Sequence, residues 1–449
     1  MQKLFGTDGI RGVVNKYPMT PEMAVIIGKA VALKFKNTDR RSFIIIGRDT
    51  RISGNMIEYA LASGICSMDV DVLLAGIVPT PAVAFLASSL KANAGIVVSA
   101  SHNPYYDNGI KIFDGSGYKL SDETETEIEN LITGNDSLSK NITVKNAGLV
   151  SLLKDAQKNY IEFLKNTMPS DFSLKGIKIV IDCSNGATYK IAPALFSDFG
   201  ADVIVLNVNP DGKNINDNCG SEHVDSLIKK VIEVKADIGI AFDGDGDRLT
   251  AVDEKGNILS GDKILAIIAL FLKKHNMLSN NHVVSTVMSN LGLATLFKEK
   301  DINHTMSQVG DRYVMQEMIK TGSILGGEDS GHIIFLNHQT TGDGTLTALK
   351  LLELMKDESK SLSELGKIMK VFPQVLLNVN VSKKPDINII PEIQSSIKNV
   401  EEILGEKGRV LIRYSGTQAI CRVMVEGPSQ EETDKLCIFL ADKIKETIG

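Results

Sequence analysis

The sequence predicts an α/β fold: three related α/β units with mixed sheets, plus a smaller C-terminal α+β domain, around a central cleft. Three observations predict it. At 449 residues the chain is too long for a single hydrophobic core. Three strand-to-loop junctions look alike: Phe-Ile-Ile-Ile-Gly-Arg-Asp (43–49), Ile-Lys-Ile-Val-Ile-Asp-Cys-Ser-Asn-Gly (177–186) and Val-Val-Ser-Thr-Val-Met-Ser-Asn-Leu-Gly (283–292). Each is followed by a helical stretch, a second short strand and a third strand that runs into a polar loop. From about residue 372 this pattern stops, which separates the last domain.

Taken in order, residues 5–14 read Phe-Gly-Thr-Asp-Gly-Ile-Arg-Gly-Val-Val, a backbone that folds tightly or approaches a ligand. Thr20-Pro21-Glu22 opens a helix, with Thr20 as N-cap, Pro21 in the first turn and Glu22 at the positive dipole end. Met23, Ile26, Ile27, Ala30 and Val31 follow at helical spacing. Ile96-Val97-Val98 reads as a buried strand that stops at Ser99, and Pro104 biases Asn103 away from helix. Ser101 and His102 therefore lie on a loop at the carboxyl end of a strand, where open α/β sheets bind ligands.

The equivalent loops are Asp-Gly-Asp-Gly-Asp-Arg (243–248) and Gly-Glu-Asp-Ser-Gly-His (327–332). Apolar runs follow the first two, ending in turns at Asp114-Gly115 and at Glu254 to Asn257. They read as hairpins that add an antiparallel edge to a mostly parallel sheet. The third copy is looser, with Ile333 to Leu336 and a turn around Gly342. Three equivalent loops with different polar cargoes make sense if they converge on one cleft. Beyond residue 372 the reading is a strand (375–381), a Pro-containing linker, a helix near 391–404, strands at 409–414 and 419–427, and a helix from about 430 to 448. The predicted divisions are 1–152, 153–255, 256–371 and 372–449.

Composition narrows the function. With 43% hydrophobic and 23% charged residues the chain has the makings of a packed interior, not of disorder. A net charge of −6 gives no basic surface for nucleic acid, so an anion must be held by local arginines and backbone amides. The five cysteines, without a Cys-x-x-Cys pair, fit reduced thiols better than disulfides or zinc. The N-terminus has no signal-like apolar core, and the longest apolar run, Ile264 to Leu272, is too short to span a bilayer. The expected setting is the cytoplasm, without membrane or nucleic-acid partners; oligomeric state is not set, and a homodimer stays open.

Ser101, with His102 beside it and Lys111 downstream, is a candidate nucleophile with acid/base help; a solvated turn is the plain alternative. Asp243, Asp245 and Asp247 place three carboxylates within five residues, which would repel one another unless a divalent cation sits among them. Few carboxylates and room for a phosphate oxygen favour Mg²⁺ over a full Ca²⁺ cage. An EF-hand is rejected, although Glu254 falls at its twelfth position: Arg248 stands where that loop needs glycine, and a strand precedes it. Arg413, Ser415, Gly416, Thr417 and Arg422 gather as an anion nest between two strands. Glu328, Ser330 and His332 alternate and offer donors and acceptors suited to sugar hydroxyls. Together these point to phosphoryl transfer on a phosphorylated polyol or sugar.

Four ordered motifs, Ser-Ala-Ser-His-Asn-Pro, Asp-Gly-Asp-Gly-Asp-Arg, Gly-Glu-Asp-Ser-Gly-His and Arg-Tyr-Ser-Gly-Thr, resemble those of the α-D-phosphohexomutase superfamily, and the resemblance covers the whole chain. It implies four domains around a cleft. It implies that Ser101 is the phosphorylated serine, and that Asp243, Asp245 and Asp247 hold one Mg²⁺ with that phosphate. Arg11 and Arg248 would lie near the transferring group, with His102 and Lys111 as general acid/base candidates. Glu328 and Ser330 would grip sugar hydroxyls, and Arg413, Ser415, Thr417 and Arg422 the non-transferring phosphate. A sugar 1,6-bisphosphate would be the intermediate and activator. Phe-Gly-Thr-Asp-Gly-Ile-Arg-Gly (5–12), Met-Ser-Asn-Leu-Gly (288–292) and Val-Gly-Asp-Arg-Tyr-Val (309–314) resemble the branch that interconverts glucosamine 6-phosphate and glucosamine 1-phosphate. The rivals are a mutase for glucose or mannose phosphates, a metal-dependent sugar phosphatase and a non-catalytic binder. One departure stands out: the last loop reads Arg-Tyr-Ser-Gly-Thr-Gln-Ala where Arg-Pro-Ser-Gly-Thr-Glu-Pro is usual in the family. Tyr414 restores an N–H donor and Gln418 removes a charge, which bears on loop stiffness and closure.

Overall fold

The repeated apolar runs become the inner strands of three sheets. A computed structural model describes residues 3–6, 8–37, 40–134, 146–414 and 419–449. Two compact units divide the chain: residues 1–287 with 303–367, and residues 288–302 with 368–449.

In the first unit, the first sheet contains β1 (Ile10–Val13), β2 (Phe43–Arg48), β3 (Asp71–Ile77), β4 (Ala94–Val98), β5 (Asp107–Asp114) and β6 (Val150–Leu152), in the order β1-β5-β4-β2-β3-β6. The second contains β7 (Lys178–Asp182), β8 (Asp202–Leu206), β9 (Ile238–Phe242), β10 (Leu249–Asp253) and β11 (Ile258–Leu259), in the order β11-β10-β9-β7-β8. The third contains β12 (His282–Thr286), β13 (Asn303–Ser307), β14 (Leu325–Gly327) and β15 (Ile333–Phe335), in the order β13-β12-β14-β15.

The three sheets share one plan. In each, the first strand of the repeat (β2, β7, β12) pairs in parallel with the second (β3, β8, β13) and the third (β4, β9, β14), and the third pairs antiparallel with the strand that returns from its loop (β5, β10, β15). The internal repeat read from the sequence is therefore present, antiparallel edge included. Burial on both faces explains why it was readable: β4 and β9 are buried at every position and carry nearly continuous apolar sequence. Beyond the shared plan, the glycine-rich stretch 5–14 folds back tightly, the Gly6 N–H donating to the Gly9 oxygen at 2.9 Å with Gly9 at φ +83°, and then runs as the edge strand β1 on β5.

Thr20 caps the helix Pro21–Phe35 as expected, its side chain accepting from the Met23 N–H. That helix lies against the helix Gly54–Cys66 at very close range. A Cβ on Gly28 would come within 2.4 Å of the Leu61 oxygen, and one on Gly64 within 2.2 Å of the Val25 oxygen. The two glycines let the helix backbones touch and so seal the core of Ile27, Val31, Ile44, Ile46, Leu61, Ile96 and Val98.

The second unit is built on an antiparallel sheet of β16 (Gln374–Asn380), β17 (Arg409–Tyr414) and β18 (Ile420–Glu426), with β18 in the middle. The helices Pro391–Leu404 and Gln430–Ile448 bury Ile393, Val400, Cys437, Leu440 and Ile444 with Val379, Val423 and Val425 of the sheet. These elements match the C-terminal α+β reading within a residue at each end. Asn290, before the helix Leu291–Glu299, donates to the Phe372 oxygen at 2.9 Å and ties residues 288–302 into this unit. All five cysteines are free thiols. Among the described residues no helix is long and apolar enough to cross a membrane.

Candidate active site

The three loops at the carboxyl ends of β4, β9 and β14 meet in the first unit. Ser101 leaves β4 with φ +53°, a left-handed backbone that a serine rarely adopts. Its N–H donates to Ser99 Oγ at 3.0 Å, and Ser99 Oγ donates to Asp49 Oδ2 at 2.5 Å. Ser101 Oγ donates to Asp243 Oδ2 at 2.5 Å, so the loops after β4 and β9, the candidate serine and metal loops, touch through these side chains. The sugar-loop Gly331 oxygen accepts from the Leu249 N–H at 3.1 Å, just after the metal loop. Gly331 has φ +84°, and a Cβ there would lie 1.9 Å from the Leu249 oxygen. No other residue fits this crossing.

The carboxylate oxygens of Asp243, Asp245 and Asp247 lie within 4.8 Å of one another and all three residues are buried. Asp243 Oδ1 accepts the Arg248 N–H, and Asp245 Oδ2 accepts from Thr80 Oγ1 at 2.6 Å and Lys111 Nζ at 2.8 Å. Asp245 Oδ1 and Asp247 Oδ1 are buried without a hydrogen-bond partner. Orphaned hard oxygens in a closely packed acidic triad fit a small divalent cation. Burial, then Asp247 and Asp245, push the Asp243 carboxyl well above its ordinary value. Asp247 goes the other way: burial would raise it, but Lys111, His332 and Arg248 hold it well below.

Lys111, on β5, is only 1% exposed. Burial works against its charge, yet Asp245, Asp247 and Asp8 raise it well above the usual lysine range, so it stays an ammonium. Its Nζ lies 3.2 Å from Asp247 and 3.1 Å from Asp8. His102 behaves oppositely, since burial and then Arg248 lower its pKa. Arg248 Nη1 lies 3.1 Å from His102 Nδ1, and Ser101 Oγ 3.4 Å from the same nitrogen. An arginine can only donate, so His102 is neutral with its proton on Nε2. Arg11 pairs with Asp8 and reaches the Ala100 oxygen at 3.5 Å.

Within the sugar loop, Glu328 Oε1 accepts from the Gly310 N–H at 3.0 Å, and Ser330 is exposed. His332 turns inward from both. Its Nε2 accepts from the Gly342 N–H at 3.0 Å and lies 3.5 Å from Asp311, while Nδ1 lies 3.8 Å from Asp247. In the second unit, Arg413 and Arg422 stand directly opposite on β17 and β18. Neither makes an ion pair with a carboxylate among the described residues, and like charges facing across strands call for an anion. Burial and then Arg422 lower the Arg413 pKa. Ser415, Gly416 and Thr417, the rest of the expected nest, and Gln418 lie outside the described residues.

Sequence reasoning passed over Asp8, Lys119 and Thr80. Lys119 pairs with both Asp8 and Asp311, joining the glycine-rich N-terminal stretch to the first turn of the helix Asp311–Thr321. The available signal for Asp8 was its place three residues before Arg11 in that stretch.

Comparison with known proteins agrees with this geometry. The four phosphoglucomutase/phosphomannomutase domain models match in order: α/β/α domain I at 2–139, domain II at 158–256, domain III at 260–372 and the C-terminal domain at 376–443. The chain belongs to the phosphoglucomutase/phosphomannomutase family. It is 56% identical over all 449 residues to a phosphoglucosamine mutase of Syntrophus aciditrophicus, with the whole of both chains covered. It is 54% identical, again over both full lengths, to one of Syntrophobacter fumaroxidans. Among solved structures, a phosphoglucomutase/phosphomannomutase family protein from Burkholderia thailandensis superposes with a TM-score of 0.82 at 25% identity, covering 99% of this chain and 98% of that one. The N-acetylphosphoglucosamine mutase of Aspergillus fumigatus, solved with GlcNAc-6P and magnesium, shares the fold with a TM-score of 0.70 at 18% identity, covering 99% and 96%.

Proposed function

We propose that this protein interconverts glucosamine 6-phosphate and glucosamine 1-phosphate, carrying the phosphoryl group on Ser101. The observation that carries the chemistry is the 2.5 Å contact between Ser101 Oγ and the buried triad carboxylate Asp243. Full-length relatives at more than 50% identity, named phosphoglucosamine mutase, support the substrate. The proposed four domains are those read from the sequence, 1–152, 153–255, 256–371 and 372–449.

In the first half-reaction the P–Oγ bond of phospho-Ser101 breaks and a P–O bond forms to the free sugar hydroxyl. The hydroxyl proton leaves to a base, and Ser101 Oγ gains a proton. The resulting 1,6-bisphosphate turns over, and the reverse transfer from its other phosphate restores phospho-Ser101. Asp243, Asp245 and Asp247, with the serine phosphate, would hold Mg²⁺, which when bound withdraws charge from the phosphoryl oxygens. Lys111 and Arg248 hold positive charge where the transferring group gathers negative charge. Lys111, whose charge the carboxylates around it favour, and His102, whose Nδ1 faces Ser101 Oγ and Arg248, are the two acid/base candidates. Arg11 steadies the serine loop through the Ala100 oxygen, and Glu328 and Ser330 are assigned to the sugar hydroxyls. His332 is assigned to the same loop, where it supports Asp247. The nest of Arg413, Ser415, Gly416, Thr417 and Arg422 is assigned to the other phosphate.

A panel of glucosamine, glucose and mannose phosphates, given to the purified phosphorylated protein with Mg²⁺, tests the reading. Glucosamine 6-phosphate should give the highest kcat/KM, with no free phosphate released. Wild-type turnover by Ser101→Ala in the presence of bisphosphate would refute it.

A further inference from the structure

Among the described residues Arg51 is one of the largest fully buried side chains, and it lies outside the machinery described so far. It follows β2 at the same carboxyl edge as the serine loop. Its Nη2 donates to the Ser101 oxygen at 3.0 Å and to the Asn103 oxygen at 2.7 Å. Asn216, from the second repeat, grips the same two atoms: its Nδ2 lies 2.9 Å from the Ser101 oxygen and 3.0 Å from the Asn103 oxygen. Arg51 Nε and Nη1 make no other hydrogen bond, so all its hydrogen bonding as a guanidinium goes to this loop. Asp49 faces its charge at 3.4 Å and accepts the Arg51 N–H at 2.8 Å. From the other side, Gly244 closes the space, since a Cβ there would lie 2.6 Å from the Ser101 oxygen and 2.8 Å from Asn216 Nδ2.

These bonds surround a serine in a disfavoured backbone conformation, φ +53°. A left-handed peptide persists only where its surroundings determine it more than once. Here the Ser101 carbonyl has two donors and its N–H is held through Ser99 to Asp49. We infer that Arg51 and Asn216 are positioning residues for phosphoryl transfer. They clamp the Ser101 carbonyl from two different repeats, lock the left-handed turn and so aim Oγ at Asp243. The inference rests on Ser101 being the phosphoryl carrier. Because the clamp joins two repeats, it also fixes the distance between serine and metal loops, which no single loop sets alone.

The loss should fall on the chemical step and not on sugar binding, because neither residue is placed against the sugar. Misplacing a reacting atom by about 1 Å costs on the order of 100-fold in rate. Asn216 itself has φ +58°, so Asn216→Gly removes the amide without straining the backbone. Asn216→Asp keeps the shape but turns a donor into an acceptor against two carbonyls. Arg51→Lys retains the charge while losing one arm of the fork.

The test is single-turnover phosphorylation of the dephosphorylated full-length protein by glucose 1,6-bisphosphate with Mg²⁺, followed by intact mass. In that step a sugar O–P bond breaks, P–Oγ forms and the Ser101 proton passes to the sugar oxygen. Asn216→Gly should melt close to wild type and Asn216→Asp below it but still folded, and both should phosphorylate roughly 10- to 100-fold more slowly. Their kcat should fall in step while KM stays within about twofold. Arg51→Lys should be intermediate, and combining it with Asn216→Gly should cost less than the product of the two, since both serve the same carbonyls. Wild-type phosphorylation rates in both folded Asn216 variants, or a loss confined to KM, would overturn the inference. A wild-type protein that gains no phosphate on Ser101 would instead overturn the proposed function.

Discussion

The sharpest stability prediction concerns Asp343, which caps the helix Gly344–Glu358 by accepting the Leu346 N–H at 2.9 Å. The next residue, Gly344, donates its N–H to the Gly246 oxygen of the metal loop at 3.0 Å, so this cap supports the site from behind. Asp343 is fully buried, with Tyr160 Oη donating to its other oxygen at 2.7 Å. Burial outweighs these hydrogen bonds and pushes the carboxyl up to about 6, against an ordinary 3.8. The folded state therefore holds this proton more tightly than the unfolded chain. The resulting stability is fully present below about pH 3.8 and is lost as pH rises through about 6. The gap between the two corresponds to about 3 kcal/mol, most of which falls between pH 4 and pH 7.5. Asp343→Asn keeps the capping oxygen but has no proton to lose. Whatever it costs at pH 4, wild type should lose about 2 kcal/mol relative to the variant by pH 7.5. In melting temperature that is roughly 3–5 °C for a cooperative unit of this size. Melting curves of both proteins every half pH unit provide the assay. Parallel pH profiles would refute the argument that burial dominates at this carboxylate.

Three other outcomes follow from the site. Lys111→Met leaves Asp245 and Asp247 facing each other without their ammonium; stability should drop by about 3 kcal/mol or more, partly restored by Mg²⁺, and kcat should fall at least about 100-fold, read by melting and by assay. Mg²⁺ at about 100 times its Kd should stabilise wild type by about 2.7 kcal/mol, and Asp245→Asn should lose most of this increment, so equal shifts in the two proteins would remove the triad as the cation site. Arg422→Gln relieves a like-charge pair, so melting should hold or rise by an amount equivalent to about 0.5 kcal/mol while KM for the sugar phosphate rises roughly tenfold; an unchanged KM would separate Arg422 from phosphate binding.

Much of the first unit is legible because its inner strands are buried on both faces. Short continuous apolar runs such as Ile44 to Ile46, Ile96 to Val98 and Ile238 to Phe242 read as inner strands. The polar loops that end them are then placed by the strand direction. The acidic triad was readable for another reason, since three aspartates alternating with glycine put three mutually repelling carboxylates within five residues and so mark a candidate cation site. The C-terminal unit is readable for a different reason, as its helices carry caps and helical spacing in local sequence: Ser429 for Gln430–Ile448, and Pro391 for the helix it opens.

What local pattern leaves open is partnership across distance. Lys111 reads in sequence as one of two acid/base candidates, and the three carboxylates brought round it, Asp8, Asp245 and Asp247, are not visible there. His332 alternates with Glu328 and Ser330, yet the turn at Gly331 sends it inward to Asp247, because the period-two rule fails where the backbone is left-handed. Arg51 and Asn216 carry no motif, and their bonds to Ser101 span 50 and 115 residues of sequence. The amino-acid sequence by itself determined the strands, the repeat and which residue types sit at the strand ends, since these depend on neighbours a few positions away. Only the tertiary structure decided which charges face Lys111 and His102, the direction of His332 and the hydrogen bonds of Arg51 and Asn216 to Ser101. Electrostatic fields and hydrogen bonds depend on distance in space, which folding sets.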